Sequence, residues 1–170
     1  MPAEAPAQLP LSESQYDAIL VDKVLHCMTP PEIDQFLSWS RTALKKGGKI
    51  YIVTTSPTNV AFSDKLFPVY REKSEKGEVY AGYFENVTPY LSEIFFEKYP
   101  QKFSKHSNQT TLFTRDDLKK QLECHGFKIQ ETYALRLEGD GQGNYSWHSV
   151  KDEDSDCVGA IAIKKEKTDS

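Results

Sequence analysis

The sequence predicts an α/β fold with a parallel strand–helix–strand unit at its centre. Two short apolar runs, residues 18–21 and residues 49–55, flank a segment in which hydrophobic residues recur at helical spacing. The first run is continuously apolar, which is typical of a strand buried on both faces, and we place a central strand over Tyr16–Asp22. Since such a crossover between neighbouring strands is parallel and right-handed, the unit excludes a helical bundle and a β-sandwich.

The helix between the two strands has a start signal and a stop signal. Thr29 supplies an N-cap hydroxyl, Pro30 occupies the first helical position and Glu32 completes a capping box. The glycine pair at positions 47–48 provides the left-handed residue that ends many helices. We therefore expect a helix over residues 30–46 and a tight glycine turn into the second strand.

Two further strands, residues 128–136 and residues 157–164, follow a helix predicted at residues 115–125. That helix has an N-cap hydroxyl at Thr114 and ends before Gly126. We expect the two strands to form an antiparallel pair at a sheet edge. The acidic, glycine-rich stretch between them is interpreted as a hairpin loop, because its Gly-Asp-Gly-Gln-Gly run is not followed by a helix as a cofactor loop would be.

The chain length of 170 residues suits one domain with a core of its own. Its parts are an approach segment (1–15), the strand–helix–strand core (16–55), a helical aromatic insert (56–109) and the C-terminal helix with the strand pair (110–165). Within the insert, helices are predicted over residues 61–73 and 88–99, with a turn at residues 75–78.

Aromatic side chains are concentrated in the insert, and two interpretations of them stay open. Tyr80, Tyr83 and Phe84 are the candidates for a lid over an apolar substrate. Alternatively, these rings form the core of an inserted helical layer. The same choice applies to Tyr70, Tyr90, Phe95, Phe96, Tyr99 and Phe103.

Charge and cysteine content exclude several classes of function. The net charge of −4, with lysines and arginines scattered along the chain, gives no basic stripe, so nucleic acid is not an expected partner. Cys27, Cys124 and Cys157 lie far apart, which favours reduced thiols, and neither they nor the histidines show metal-ligand spacing. The sequence shows no signal peptide and no apolar run of membrane-spanning length, so we expect a cytoplasmic protein without membrane contacts.

Motifs near both ends of the chain resemble those of one enzyme family. In order, they are Leu9-Pro10 with Tyr16-Asp17, Leu25-His26, Leu44-Lys45-Lys46-Gly47-Gly48, Arg115-Asp116-Asp117-Leu118 and Gly126-Phe127. The sequence is similar to the C-terminal half of a class I (Rossmann-like) S-adenosylmethionine-dependent methyltransferase of type 11/12. That resemblance implies a partial sheet with the family's strands four to seven, the last two antiparallel, and the aromatic segment inserted after the fifth.

The resemblance also implies where ligands would bind. Asp22 and Lys23 follow the fourth strand, at the edge where the cofactor binds, and Leu9 lies in the turn near its adenine. His26 would border the cofactor or accept a proton, as a catalytic residue. Two plainer interpretations remain open, which are solvated strand-end charges for Asp22 and Lys23 and a packed or capping role for His26.

The cofactor-binding half of the family pattern has no counterpart ahead of Tyr16. Both the glycine-rich loop after the first strand and the acid that binds the ribose hydroxyls are absent from the sequence. We expect methyl transfer to a small-molecule acceptor, with weak or no S-adenosylmethionine binding by this chain alone. The alternatives are a non-catalytic remnant or partner subunit, which pairs with a separate N-terminal half or with itself as a homo-oligomer, and a piece of a longer enzyme.

Overall fold

The structure is a computed structural model that describes residues 13–93, 95, 108–139 and 145–165. Its main element is a five-stranded sheet with the strand order β1-β2-β7-β5-β6. The strands of this sheet are β1 (Tyr16–Asp22), β2 (Leu44–Thr55), β5 (Phe127–Gly139), β6 (Tyr145–Ser149) and β7 (Cys157–Lys164), and β3 (Tyr83–Phe84) pairs with β4 (Thr110–Thr111) separately. The helices are α1 (Pro30–Ala43), α2 (Leu66–Glu75) and α3 (Arg115–Cys124).

The predicted α/β class and the parallel crossover are confirmed. Strands β1 and β2 pair in parallel, with Val21 opposite Ile52, and α1 connects them. Strand β7 lies between β2 and β5 and is antiparallel to both. The helix start was also predicted correctly, because the Thr29 backbone N–H and hydroxyl donate to the Glu32 carboxylate at 2.7 Å and 2.8 Å.

The end of α1 differs from the prediction, because the helix ends at Ala43 and the glycine pair lies inside β2. Leu44 is fully buried and already extended, and its backbone pairs with Tyr16. After this pair the register between β1 and β2 shifts at a β-bulge, which contains Gly47 with a φ of +71°. Burial of Leu44 therefore starts the strand before the left-handed glycine, which serves the bulge and not a helix cap.

The stretch between β5 and β7 contains a strand that the sequence analysis placed in a loop. Tyr145–Ser149 forms β6, and Leu137 pairs with Trp147 in the register with β5. The aromatic residues Tyr145 and Trp147 favour a strand, although residues 146–149 are exposed. As a consequence β6, and not the β5–β7 pair, occupies this edge of the sheet, while residues 140–144 lie outside the described part.

The insert begins with turns, so its first helix, α2, starts at Leu66 and not at residue 61. The predicted turn after it is confirmed, with Gly77 at φ +77°. The next predicted helix begins as a single 3-10 turn, Thr88–Tyr90, and most of its remainder lies outside the described residues. The short β3–β4 pair was not predicted, because neither strand is long enough to show a pattern.

The main core fills the space between one face of the sheet and the helices α1 and α3. Strand β1 is the edge strand of the described sheet, and Leu20 on its other face is 75% exposed, which contradicts the predicted burial on both faces. The apolar run is thus covered on one face only. The core includes Val21, Ile33, Leu37, Ile50, Ile52, Leu118, Leu122, Val158, Ala160 and Ala162.

Among the described residues, no helix has both the length and the hydrophobicity needed to cross a bilayer.

Candidate functional site

The candidate site lies where the parallel strands β1 and β2 end. In open α/β sheets this carboxyl edge is the usual place for ligands. Strand β1 ends at Asp22, and the Lys23 backbone N–H still donates to the Val53 carbonyl of β2 at 2.8 Å. Lys23 then takes a left-handed conformation, φ +52°, which turns the chain into the 3-10 turn Leu25–Cys27. The backbone thus bends across the sheet edge.

A cavity of about 290 Å³ opens beside this turn, between the end of β2 and the insert. Of the predicted site residues, His26 lines it. The described residues that line it are His26, Cys27, Thr55, Asn59, Ala61, Phe62, Val87, Leu91, Phe95, Asn108, Gln109 and Thr110.

The position of His26 is fixed from its backbone. The Thr110 hydroxyl of β4 donates to the His26 carbonyl at 3.0 Å, and the neighbouring Thr111 hydroxyl donates to the Met28 carbonyl at 2.7 Å. Strand β4 therefore holds the backbone of the 3-10 turn that carries the His26 imidazole. The small β3–β4 pair, which sequence analysis did not predict, contributes directly to the site.

The His26 ring is held in its neutral form. Burial lowers the pKa of His26 below its ordinary value of 6.5, and the nearby Lys23 ammonium lowers it further. Its Nδ1 atom is buried without a hydrogen-bond partner among the described residues. A neutral imidazole at the wall of a cavity can accept a proton from a bound hydroxyl or amine.

Asp22 and Lys23 are exposed at the same sheet edge, outside the cavity lining. The Lys23 ammonium lies 4.9 Å from the centre of the Trp147 ring, so β6 reaches over this edge of the sheet. Burial has the largest effect on the pKa of the Cys157 thiol and raises it to about 11, while the Lys23 ammonium lowers this pKa and the Asp22 carboxylate raises it. Cofactor binding by Asp22 and Lys23 stays a prediction, and Leu9 lies outside the described residues.

The three residues predicted to form a lid do not line this cavity. The Tyr80 hydroxyl donates to the Asp34 carboxylate of α1 at 2.6 Å, on the covered side of the sheet. Phe84 is buried in a second hydrophobic cluster, where it packs against Tyr90 with a centroid distance of 5.4 Å, and Tyr83 is half-buried beside it. Their lid role stays a prediction.

The aromatic wall of the cavity consists of Phe62 and Phe95. Phe95 was among the aromatic residues that sequence analysis left between a lid and a core, whereas Phe62 was missed. Cys27, next to His26, was also missed as a site residue, and the remaining missed residues come from three separated stretches, 55–61, 87–91 and 108–110. Only the position of Thr55 at the end of a parallel strand could have indicated this site from sequence alone.

A network of hydroxyl groups anchors the chain that leaves β2 towards the cavity. The buried Ser155 hydroxyl donates to Ser56 Oγ at 3.0 Å, and the Thr58 hydroxyl donates to the Ser155 carbonyl at 2.8 Å. The Asn59 amide then donates to the Asp156 carbonyl at 2.9 Å, while its Oδ1 accepts the Ala61 N–H at 2.8 Å. These bonds satisfy buried polar groups and place Ala61 and Phe62 at the cavity wall.

Comparison with known structures identifies the fold. A methyltransferase from Methanosarcina mazei superimposes with a TM-score of 0.58 at 16% identity, over 96% of this chain and 66% of that one. The chain has the fold of S-adenosylmethionine-dependent methyltransferases. One from Listeria monocytogenes, described as putative, gives 0.55 at 14% identity, over 96% and 68%. A possible histamine N-methyltransferase from Thermotoga maritima gives 0.51 at 14% identity, over 92% and 59%.

The chain spans between 59% and 68% of the length of these three methyltransferase structures. No family model matches the sequence, and no curated protein resembles it closely enough to be informative. The relationship therefore rests on the shape of the fold, which is the five-stranded sheet with its parallel β1–β2 pair and antiparallel β5 and β7.

The described residues fit the cofactor of such enzymes only in part. At the carboxyl edge they offer the exposed backbone and side chains of Asp22 and Lys23, and the Lys23 ammonium is already engaged by Trp147. No glycine-rich turn between a strand and a helix N-terminus lies beside β1 in this part of the chain. The described residues therefore lack the groups that would hold most of such a cofactor. Nor do the described residues contain a group of three metal-ligating side chains.

Proposed function

We propose that this chain provides the acceptor side of an S-adenosylmethionine-dependent methyltransferase. The observation that carries the proposal is the cavity at the carboxyl edge of the parallel pair, with the neutral His26 imidazole in its wall. The fold shared with methyltransferase structures supports it. The acceptor would be a small molecule held between His26 and the aromatic wall.

In this proposal the chain's own residues position the acceptor and receive its proton. His26 accepts a proton from the acceptor's hydroxyl or amine, because its ring is neutral and its backbone is clamped by Thr110. The cavity holds the acceptor in one orientation, which is the main catalytic contribution a methyltransferase makes. Asp22 and Lys23 would contact the cofactor from the β1 side.

A calorimetric titration of the purified chain with S-adenosylmethionine, and separately with its demethylated product, tests how complete the cofactor site is. With only one wall present, no binding is expected at micromolar concentrations. Micromolar binding would contradict the proposal of an acceptor side alone and would make Asp22, Lys23 and His26 the first residues to substitute. The matched control for those substitutions is Lys45→Gln, because Lys45 pairs with Asp17 at the opposite end of β1.

The second candidate function is a partner subunit, or a non-catalytic remnant, that associates through the β1 edge. The unpaired edge and the exposed side chains of Leu20 and Val24, 75% and 39% exposed, favour it. An apolar strand with a free edge is a template for pairing with another strand. Under this reading the association, and not methyl transfer, is the activity of the chain.

A further inference from the structure

We infer that the cavity beside His26 takes an uncharged ligand built on an aromatic ring system, with a polar group at one end. This inference rests on the proposed function in one respect, which is that the ligand would be the methyl acceptor. It does not rest on that function for binding, which is argued from the described residues that line the cavity.

The charge of the ligand follows from the lining. Among the described residues that line the cavity, none is an aspartate, a glutamate, a lysine or an arginine. The single titratable base among them, His26, is neutral because burial and Lys23 both lower its pKa. An ion that left water for this cavity would find no side chain of opposite charge among the described lining residues, and most of the cost of its desolvation would stay uncompensated. A neutral ligand avoids that cost.

The size and shape of the ligand follow from the volume and the apolar wall. A cavity of about 150 Å³ holds one benzene ring. The present cavity of about 290 Å³ accordingly has room for a substituted ring or for two fused rings. Phe62 and Phe95 offer ring surfaces against which a planar ligand can pack, and Val87 and Leu91 continue the apolar wall.

The orientation of the ligand follows from where the polar groups lie. The apolar side chains come from the insert and belong to the second hydrophobic cluster or pack against it. At the sheet edge, Thr55 ends β2 and the Thr110 hydroxyl donates to the His26 carbonyl, so these polar residues mark one end of the cavity. A few hydrogen-bonding groups at one end of an apolar cavity are typical of small-molecule sites and fix which way the ligand enters. The hydroxyl or amide of the ligand would therefore point to His26.

Three probes that share the naphthalene ring system and differ in charge test the inference. They are 2-naphthol, 2-naphthoate and 2-naphthylmethylammonium. Each is titrated into the purified full chain at neutral pH without S-adenosylmethionine, and binding is followed by ligand-observed NMR. We expect 2-naphthol to bind at least ten-fold more tightly than either ion. Equal binding of an ion, or no binding of 2-naphthol, would overturn the inference.

Two matched phenylalanine variants locate the binding. Phe62→Ala removes a ring from the cavity wall, whereas Phe67→Ala removes the exposed ring of a residue outside the lining. We expect at least a five-fold loss of 2-naphthol affinity in the first variant and less than a two-fold change in the second. Phe62→Leu, which keeps the core filled, checks the result if Phe62→Ala unfolds. Equal effects at both positions would overturn the location.

The result is separable from the proposed function. If 2-naphthol binds in the cavity and no methyl transfer is ever found, the ligand site stands and the methyltransferase proposal fails. If methyl transfer to a charged acceptor is found while 2-naphthol does not bind, the proposed function stands and the ligand class assigned here is wrong.

Discussion

The titration of His26 is the residue-scale property that matters most for the proposed chemistry. Burial is the main cause of the lowered pKa of His26, and Lys23 is the second. We predict that Lys23→Gln raises the pKa of His26 but leaves it below the ordinary 6.5, because the ring stays buried. NMR of the imidazole across a pH series measures this, with Lys45→Gln as the control.

The direction in which His26 changes the folding stability with pH follows from the same pKa shift. The unfolded chain binds a proton at His26 more readily than the folded chain does. The stability that His26 contributes is therefore present above the unfolded value of 6.5 and is lost as pH falls through the lower folded pKa. An unchanged His26 pKa in Lys23→Gln would contradict the electrostatic part of this account.

Tyr80 provides a second residue-scale prediction, which concerns stability. Its hydroxyl donates to Asp34, and the Asp34 carboxylate also lies 3.2 Å from His125 Nε2 at the end of α3. We predict that Tyr80→Phe lowers the free energy of unfolding by about 1 kcal/mol, because a partly exposed carboxylate loses one hydrogen bond. Tyr83→Phe, whose hydroxyl bonds to no other described residue, should change it much less. Urea unfolding distinguishes the two, and equal losses would argue against the Tyr80–Asp34 bond.

At the scale of elements, strand β7 depends on a glycine beneath an aromatic ring. A Cβ on Gly159 would lie 2.1 Å from the Tyr133 ring of β5. We predict that Gly159→Ala costs about 1–3 kcal/mol of stability through overpacking. In a Tyr133→Ala background the same substitution should cost far less, because the ring it meets is gone. A double-mutant cycle by chemical denaturation measures this coupling, and additive effects would contradict the packing.

The sequence predicted the elements that are defined by local signals. Thr29 with Glu32, and Thr114 with Asp117, mark the starts of α1 and α3 because a capping box needs only neighbouring residues. The predicted end of α1 was wrong, because burial of Leu44 against the core outweighs the helix-stop signal of the glycine pair.

The candidate site could be predicted only in part, for a similar reason. His26 follows a strand in the sequence, so its place at the sheet edge was accessible. Phe62 and Thr110 meet His26 only through the tertiary fold, Thr110 by a hydrogen bond to a residue 84 positions away. No spacing along the chain encodes that contact. The hydrogen bond between Tyr80 and Asp34 of α1 likewise forms only through the tertiary fold, and the lid role of Tyr80 stays a prediction.

At the scale of the whole molecule, β1 is the edge strand of the described sheet, and the second candidate function makes it the surface that meets a partner. The second candidate function predicts that the chain self-associates or binds a partner through Leu20, which is 75% exposed. Leu20→Lys should then weaken association, whereas Val79→Lys, at a valine that is 74% exposed in the insert, should leave it unchanged. Sedimentation velocity over a concentration series measures this. A chain that stays monomeric throughout, or equal effects of both variants, would count against self-association through this edge.

The acceptor-side proposal has one geometric premise, which is that the carboxyl edge of β1 is a ligand edge. If the chain supplies one wall of a cofactor site, contacts with the cofactor will be weak and confined to the residues that follow β1. The cavity beside His26 will be unaffected, because it belongs to the acceptor. Weak binding confined to one edge therefore distinguishes an acceptor side from a complete enzyme and from an unrelated fold.

The most direct measurement is an amide NMR map of the chain with millimolar S-adenosylhomocysteine. Our account predicts shifts at Asp22, Lys23 and Val24, with those at Lys23 reduced in Lys23→Gln and unchanged in Lys45→Gln. No shift at these three residues, or shifts centred on another part of the molecule, would contradict the claim that this edge forms one wall of a methyltransferase cofactor site.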